Sequence, residues 1–171
     1  MVSNLTSQEL TRMAEILRIL ENDSRITTAQ IADMTGNSTD EVTRLIKEAE
    51  RLRIILKYKA VINWDKIDGE QVLAIISVKV TPQKEVGFDS IAARIYRFPQ
   101  ARSVYLASGE YDLAVTVIGE SEREVADFVS QKLATIEGVH GTATHFILKR
   151  YKEYGEILDE VTEVKRQQVI L

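Results

Sequence analysis

Basic side chains recur along residues 36–53, GNSTDEVTRLIKEAERLR, at a spacing that could bind phosphate groups. Successive residues of a helix are rotated by about 100°, which brings Arg44, Lys47 and Arg51 to one side with Thr43 beside them. The opposite side is apolar and consists of Val42, Leu45, Ile46 and Ala49. The pattern predicts an amphipathic helix whose exposed side can face a polyanion. We name Arg44, Lys47 and Arg51 the basic crest.

The same segment holds as many acidic as basic residues, so its total charge does not favour nucleic acid. Glu41, Glu48 and Glu50 fall on the flanks of the helix rather than on the crest. Glu41 can close a capping box with Ser38, and the other two can pair with neighbouring basic side chains. The crest is therefore expected to stay basic within a neutral segment.

Asp40 is the acidic residue that lies on the crest, at the N-terminal end of the helix. It can be a carboxylate favoured by the helix dipole, which is the commoner arrangement, or an acceptor for a cytosine amino group, since this end of a recognition helix enters the major groove. The residues predicted to contact DNA are Ser38, Thr39, Asp40, Thr43, Arg44, Lys47 and Arg51.

Two further helices are predicted before this one. Thr6 and Glu9 have the spacing of a capping box and start the first. Its predicted buried stripe consists of Leu10, Met13, Ala14, Leu17 and Leu20. Ala32, small enough for two helices to touch, and Gly36, at the end of the second helix, fit a helix-turn-helix, with a plain three-helix bundle as the alternative.

From residue 54 the apolar period changes to two, and IILKYKAVIN is predicted to be a linker strand. The elements that follow have the order β-α-β-β-α-β of a ferredoxin-like fold. The predicted strands are 71–81, 102–107, 111–118 and 142–150, and the predicted helices are 89–98 and 122–136. The chain is thus expected to be α+β, with a helix-turn-helix (winged-helix-like) domain with its linker strand over residues 1–60, a ferredoxin-like domain over 61–151, and a tail over 152–171 that forms a short helix.

Two features of the second domain bear on its contacts. The strand QVLAIISVKV is apolar on both faces, and because two helices cover one face of such a sheet, the other is expected to meet a second copy in a homodimer. SGEYD, between two strands, is typical of a tight hairpin in which Gly109 supplies the positive φ of a primed turn.

Composition excludes several classes of protein. Hydrophobic residues make up 44% and charged residues 28%, as in globular domains, and cysteine is absent. Without a signal peptide or a membrane-length apolar run, a cytoplasmic protein is expected. His140 and His145 fall short of a zinc site. Since no catalytic motif is present, neither an enzyme nor a cofactor is expected.

Three stretches then make a pattern over residues 10–150: ILRILENDSRITTAQIADMTGNSTDEVTRLIKEAERLRIILKYKAVIN, SGEYDLAVTV and IEGVHGTATHFIL. With them the chain resembles the Lrp/AsnC family, also called feast/famine regulatory proteins. The first is similar to the family's helix-turn-helix and linker, the second to its Gly-x-Tyr-Asp signature and the third to its Gly-Val…Thr-x-Thr ending. The chain departs from the family at three places. Arg44-Leu45 stands where paired arginines are usual, Ala49 stands where leucine is typical, and Arg53 stands where glycine is expected.

The resemblance implies a sequence-specific transcriptional regulator that binds double-stranded DNA and responds to a small effector, typically an amino acid, bound between dimers that assemble into octamers. It implies an effector site at Ser108, Gly109, Tyr111 and Asp112, where backbone amides can hold a carboxylate and Asp112 an ammonium group.

Two alternatives remain. The acidic composition and the residues at Asp40, Leu45 and Arg53 also fit an effector-binding or assembly partner whose DNA-reading helix is degenerate. The siroheme decarboxylases are similar in architecture, but they rely on histidines near their tetrapyrrole, and the loop SGEYDLAV has none.

Overall fold

The computed structural model describes residues 5–67, 71–81 and 87–158. The chain divides into two compact units, Met1–Val61 and Ile62–Leu171, which we call the N-terminal and C-terminal units. The division falls one residue from the predicted boundary at residues 60 and 61. Each unit has its own cluster of buried apolar side chains.

Three helices make up the described part of the N-terminal unit: α1 (Ser7–Asn22), α2 (Thr28–Thr35) and α3 (Thr39–Arg51). α1 begins with the predicted capping box, in which Thr6 and Glu9 bond reciprocally. α2 begins with a second box, formed by Thr27 and Gln30. At α3, Ser38 Oγ accepts from the backbone N–H of Glu41 at 3.2 Å. The carboxylate of Glu41, predicted to bond back to Ser38, is instead directed to a side chain of α3.

The core of the N-terminal unit lies between the three helices and consists of Met13, Ile16, Ile31, Ala32, Val42, Leu45 and Ala49. The predicted stripe of α1 was partly wrong, because Ala14 is exposed, Leu10 is 39% exposed and Ile16 is buried. A stripe through Met13 and Ile16 satisfies helical spacing as well as the predicted one does. Only the packing of α1 against the other two helices selects between them.

The segment between the units is not the predicted strand. Residues 56–63 form no regular structure and Leu56 is 75% exposed; a short 3₁₀ helix, Trp64–Lys66, follows. A strand requires a hydrogen-bonded neighbour, and no strand in the described part of this chain pairs with these residues. Within the described part of this chain, these residues therefore lack the neighbouring strand that the alternating apolar pattern would need.

The C-terminal unit contains the predicted sequence of strands and helices. They are β1 (Val72–Val80), α4 (Asp89–Ile95), β2 (Ala101–Leu106), β3 (Leu113–Gly119), α5 (Glu122–Phe128), which continues as a π-helical turn (Val129–Leu133), and β4 (Val139–Phe146). The sheet order is β2-β3-β1-β4 and every neighbouring pair is antiparallel. This confirms the predicted ferredoxin-like arrangement.

One face of the sheet packs in the core with α4 and α5. The buried side chains of this face are Ala74, Ile76, Val78, Val80, Leu113, Val115 and Val117, and the helices contribute Ile91, Ile95, Val125 and Phe128. Gly138, in the predicted Gly-Val motif, has a φ of 93°, and a Cβ there would lie 2.7 Å from Ile91 Cδ1. The motif thus needs glycine for both its backbone conformation and the close approach of α4.

The tail differs from its prediction. Residues 152–157 form a hairpin of β5 (Lys152–Glu153) and β6 (Glu156–Ile157), so the predicted short helix is wrong there. Tyr154 (φ 48°) and Gly155 (φ 90°) form the connection, and two positive φ values are the requirement of a type I′ turn. The rest of the predicted helix, residues 159–171, lies outside the described residues.

Candidate functional site

All seven residues predicted to contact DNA lie at the start or on the outer side of α3. The buried residues of this helix are Val42, Leu45 and Ala49. The exposed ones include Ser38, Thr39, Asp40, Arg44, Lys47 and Arg51. Thr43 is half-buried, and its hydroxyl donates to the backbone oxygen of Thr39 at 2.8 Å. The structure thus presents one continuous polar surface on α3.

Arg44 is held by two carboxylates. Its Nε and Nη2 donate to the two oxygens of Glu41 at 2.9 and 3.0 Å, a bidentate pair within α3. Nη2 also donates to Glu9 Oε1, on α1, at 2.5 Å. Arg12 Nη1, also on α1, lies 3.8 Å from Glu41 Oε1. This network of alternating charges joins the first turn of α1 to the first turn of α3.

The network shifts the ionisation of its members in the expected directions. Hydrogen bonds to Glu41 and then to Glu9 raise the pKa of Arg44. The backbone N–H of Thr6, followed by Arg44, lowers the pKa of Glu9, and the hydrogen bond from Arg44 lowers the pKa of Glu41. All three groups are therefore charged at neutral pH. Because Arg44 is exposed and both carboxylates keep some contact with solvent, their pairing is exchangeable.

The other two cations of the crest differ from each other. Arg51 forms a bidentate pair with Glu48, with Nε and Nη2 at 2.7 and 2.5 Å from the carboxylate oxygens. The pairing raises the pKa of Arg51 and lowers that of Glu48. Lys47 and Asp40 have no ion-pair partner among the described residues. Lys47 is thus the crest cation that is unpaired within the described structure.

The end of α3 has a backbone conformation that accounts for the glycine expected at position 53. The N–H of Ile54 donates to the oxygen of Ala49 at 2.8 Å, and that of Arg53 to Glu50 at 3.0 Å. These two bonds define a Schellman motif, whose residue after the cap is left-handed. Arg53 occupies that position with a φ of 58°. The motif is retained at the energetic cost of a left-handed non-glycine residue.

The predicted effector residues lie on the connection between β2 and β3. Ser108 and Gly109 are exposed, whereas Tyr111 and Asp112 are half-buried. Residues 107–112 span this connection, so it is longer than the predicted tight hairpin. Gly109 has the predicted positive φ, but its value of 137° is far from the roughly 60–90° of primed turns.

Asp112 is tied to the neighbouring strand β1. Its Oδ2 accepts from the backbone N–H of Val80 at 2.9 Å, and its own N–H donates to the oxygen of Val78 at 3.0 Å. The β1–β4 register shifts between Lys79 and Val80. Asp112 therefore supports an irregular point of the sheet with one carboxylate oxygen. This role depends on strand register, which the Gly-x-Tyr-Asp pattern did not indicate.

A polar cavity of about 290 Å³ lies at the opposite ends of β2 and β3, and no sequence pattern indicated it. It is lined by Gln71, Pro99, Gln100, Arg102, Ile118, Gly119, Glu120 and Glu124. The side-chain oxygen of Gln100 is buried and accepts no hydrogen bond from the described residues. This cavity is separate from the loop that carries the predicted effector residues.

Two classes of site have no counterpart in residues 5–67, 71–81 and 87–158. No group of three or more His, Cys, Asp or Glu side chains there could hold a metal ion. Nor is any helix there both long and apolar enough to cross a membrane.

Comparison with known proteins assigns a family to each unit. The model of the Lrp/AsnC ligand binding domain matches residues 73–157, and that of a winged helix-turn-helix DNA-binding domain matches residues 14–55. The uncharacterized HTH-type transcriptional regulator YugG of Bacillus subtilis (strain 168) is 49% identical over 153 residues, which are 89% of this chain and 92% of that protein. The HTH-type transcriptional regulator FL11 of Pyrococcus furiosus is 30% identical, over 84% of this chain and 91% of its own length.

Solved structures share the fold at low sequence identity. AsnC of E. coli matches with a TM-score of 0.64 and 19% identity, over 84% of this chain and 94% of its own. A transcriptional regulator of Neisseria meningitidis, solved in complex with L-Met, matches with a TM-score of 0.65 and 22% identity, over 88% and 94%. From its helix-turn-helix, its ligand-binding domain and its relatives, this chain belongs to the Lrp/AsnC family of transcriptional regulators.

Proposed function

We propose that this regulator binds selected DNA sequences through α3 and changes its DNA binding when an amino acid binds at the loop of residues 107–112. The observation that carries the effector part is the pairing of an exposed loop backbone with the carboxylate of Asp112. An amino acid carries both complementary groups, a carboxylate and an ammonium. The Neisseria relative solved with L-Met supports this class of ligand.

Each end of the amino acid has a partner in this loop. Ser108 and Gly109 expose their backbone, and amides in such a bend can hold a carboxylate. Asp112 uses Oδ2 for the N–H of Val80, which fixes the side chain and leaves Oδ1 to accept from an ammonium group. Tyr111, half-buried beside it, supplies an aromatic surface for the effector's side chain.

We further propose that the outer face of the sheet is covered by a second copy of the chain. This face carries apolar and small side chains on three neighbouring strands, namely Leu73, Ile75, Ala114, Ile118 and Ala143, together with Thr116 and His145, which pair with Ile75. Ile75, at the centre of the sheet, is 40% exposed in the single chain. A closed two-fold dimer buries such a face. Further assembly to octamers multiplies the weak affinity expected of a helix with one unpaired cation.

The relatives are named as transcriptional regulators, and we propose that this protein likewise has no catalytic role and no cofactor and acts in the cytoplasm, on DNA. The paired state of Arg44 and Arg51 is the observation that favours a second candidate, an effector-binding partner whose α3 no longer binds DNA.

Fluorescence anisotropy of a duplex from upstream of the protein's own gene tests the DNA part, with titrations at two salt concentrations and a scrambled duplex as control. Selective and salt-sensitive binding is expected. Equal, weak affinity for both duplexes would contradict the regulator and favour the second candidate.

The effector part is tested by titrating amino acids, beginning with L-methionine, while following heat release and tetramer or octamer formation. Asp112→Asn is the matched variant, because the amide oxygen still accepts from Val80 while the negative charge is lost. We expect it to fold normally and to bind the amino acid at least about tenfold more weakly, since bonds to a charged group are the strong ones. Unchanged affinity would exclude Asp112 from the site.

A further inference from the structure

We propose that Glu9, on α1, competes with DNA phosphates for Arg44 and thereby sets how strongly α3 binds DNA. Glu9 lies outside the helix-turn-helix segment, and the sequence indicated only a capping role for it. The proposal rests on the DNA-binding function of α3 and on the contacts, exposure and charges of four side chains.

Both oxygens of the Glu9 carboxylate are occupied. Oε2 accepts from the backbone N–H of Thr6 at 2.8 Å and from its hydroxyl at 3.0 Å. Oε1 accepts from Arg44 Nη2. The Glu9 side chain is 23% exposed, whereas that of Arg44 is 49% exposed. The capping box thus fixes the carboxylate, and the arginine is the more exposed member that a phosphate can reach.

The charge of Arg44 is already compensated before such a phosphate arrives. Arg44 contacts the carboxylates of Glu9 and Glu41, and with Arg12, 3.8 Å from Glu41, the four groups have a net charge of zero. Glu41 belongs to α3 and moves with Arg44, as an i,i+3 pair does on any exposed helix face. Glu9 belongs to another helix, so a phosphate that recruits Arg44 outward must replace this bond.

The pairing also predicts a salt dependence. Each phosphate neutralised by a protein cation contributes about 0.9 to the slope of log affinity against log salt. A cation that already has a carboxylate partner contributes less, since it exchanges one anion for another. Release of Arg44 from Glu9 should therefore strengthen binding and steepen its salt dependence.

Glu9→Gln is the decisive variant, and the capping box of α2 indicates that this variant will fold. In α2 the same reciprocal cap is made by a glutamine: Thr27 N–H donates to Gln30 Oε1 at 3.0 Å, and Gln30 N–H donates to Thr27 Oγ1 at 3.2 Å. A glutamine in place of Glu9 can repeat these bonds at Thr6 while the negative charge is lost. Glu15→Gln is the matched control, because Glu15 is exposed on α1 and has no partner among the described residues.

The full-length variants are titrated with one fixed duplex by anisotropy at several salt concentrations. We expect Glu9→Gln to bind about two- to fivefold more tightly than Glu15→Gln, the range set by an exposed ion pair, with a slope larger by up to about one. In an Arg44→Gln background the two variants should become equal. Equality in the wild-type background, or weaker binding by Glu9→Gln, would overturn the proposal. If the wild-type chain binds no duplex, DNA binding by Glu9→Gln alone would support the proposal. Absence of binding by both proteins would overturn it.

Discussion

The outer side of α3 and the loop of residues 107–112 hold their charged groups in opposite ways. On α3, Arg44 and Arg51 are themselves exposed and are partnered by side-chain carboxylates at the helix surface. In the loop, Asp112 is partnered by the backbone N–H of Val80. Exposed ion pairs are weak and screened by salt, whereas a bond to a strand backbone follows the sheet register. The first arrangement suits a surface that must exchange partners, and the second suits a site that must keep its shape.

The largest expected effect is on the loop. Asp112→Ala leaves the N–H of Val80 without its acceptor and should lower the free energy of unfolding of the C-terminal unit by about 2 kcal/mol. Trp64, the single tryptophan, lies in this unit and reports its urea unfolding by fluorescence. Asp112→Asn should stay close to wild type, and the loss in Asp112→Ala should persist in roughly molar salt. A loss that disappears in salt would break the contrast with α3.

The second prediction concerns the two kinds of crest cation. Lys47→Ala should weaken DNA binding about fivefold, because non-specific affinities of about 10⁻⁴–10⁻⁶ M are shared among some 6–10 phosphate contacts. Arg51→Ala should cost less, since Glu48 already compensates that charge. Anisotropy at two salt concentrations measures both. Equal losses would mean that the pair with Glu48 opens without effect on DNA binding.

A third prediction sharpens the comparison through the backbone. Arg53→Gly removes the left-handed strain at the end of α3, worth about 1–2 kcal/mol, but adds flexibility to the unfolded chain. We expect the free energy of unfolding of the N-terminal unit to rise by about 0.5–1 kcal/mol. Far-UV circular dichroism of its helices during unfolding measures this change. Arg53→Ala keeps the strain and is the control. Equal stability of the two variants would mean that the backbone at residue 53 is not strained.

The smallest effect is on pH dependence. The pKa values of Glu9, Glu41 and Glu48 are lowered in the folded chain. The stability they contribute is complete above the unfolded value of about 4.3 and is lost as the pH falls through the folded values. The thermal midpoint of the helices should therefore hold from neutral pH to about 5 and decline below about 4, less so in roughly molar salt. Glu48→Gln should make the thermal midpoint fall slightly less at low pH. An unchanged dependence on pH would mean that the pair of Glu48 with Arg51 adds no stability.

Most helices and strands, and the local pair of Glu48 with Arg51, could be predicted from local signals. The linker strand, the tail helix and the charge pairs between distant residues could not. Thr6 with Glu9 indicated the start of α1 and Gly36 the end of α2, because caps are local in sequence. The bond between Glu9 and Arg44 joins residues far apart and depends on how α1 packs on α3. Glu41 had two sterically possible partners, and the structure selects Arg44 over Ser38. The bond from Val80 to Asp112 depends on a register shift that no sequence pattern announces.

The irregular segment of residues 56–63 is a place where a protease can cut the chain. Exposed backbone without regular structure fits a protease cleft, and Lys57 gives trypsin a cleavage point near the boundary of two units that each have a core. The isolated chain should be cut there first, leaving both fragments folded. Slower digestion at higher protein concentration would then indicate that a second copy of the chain covers this segment.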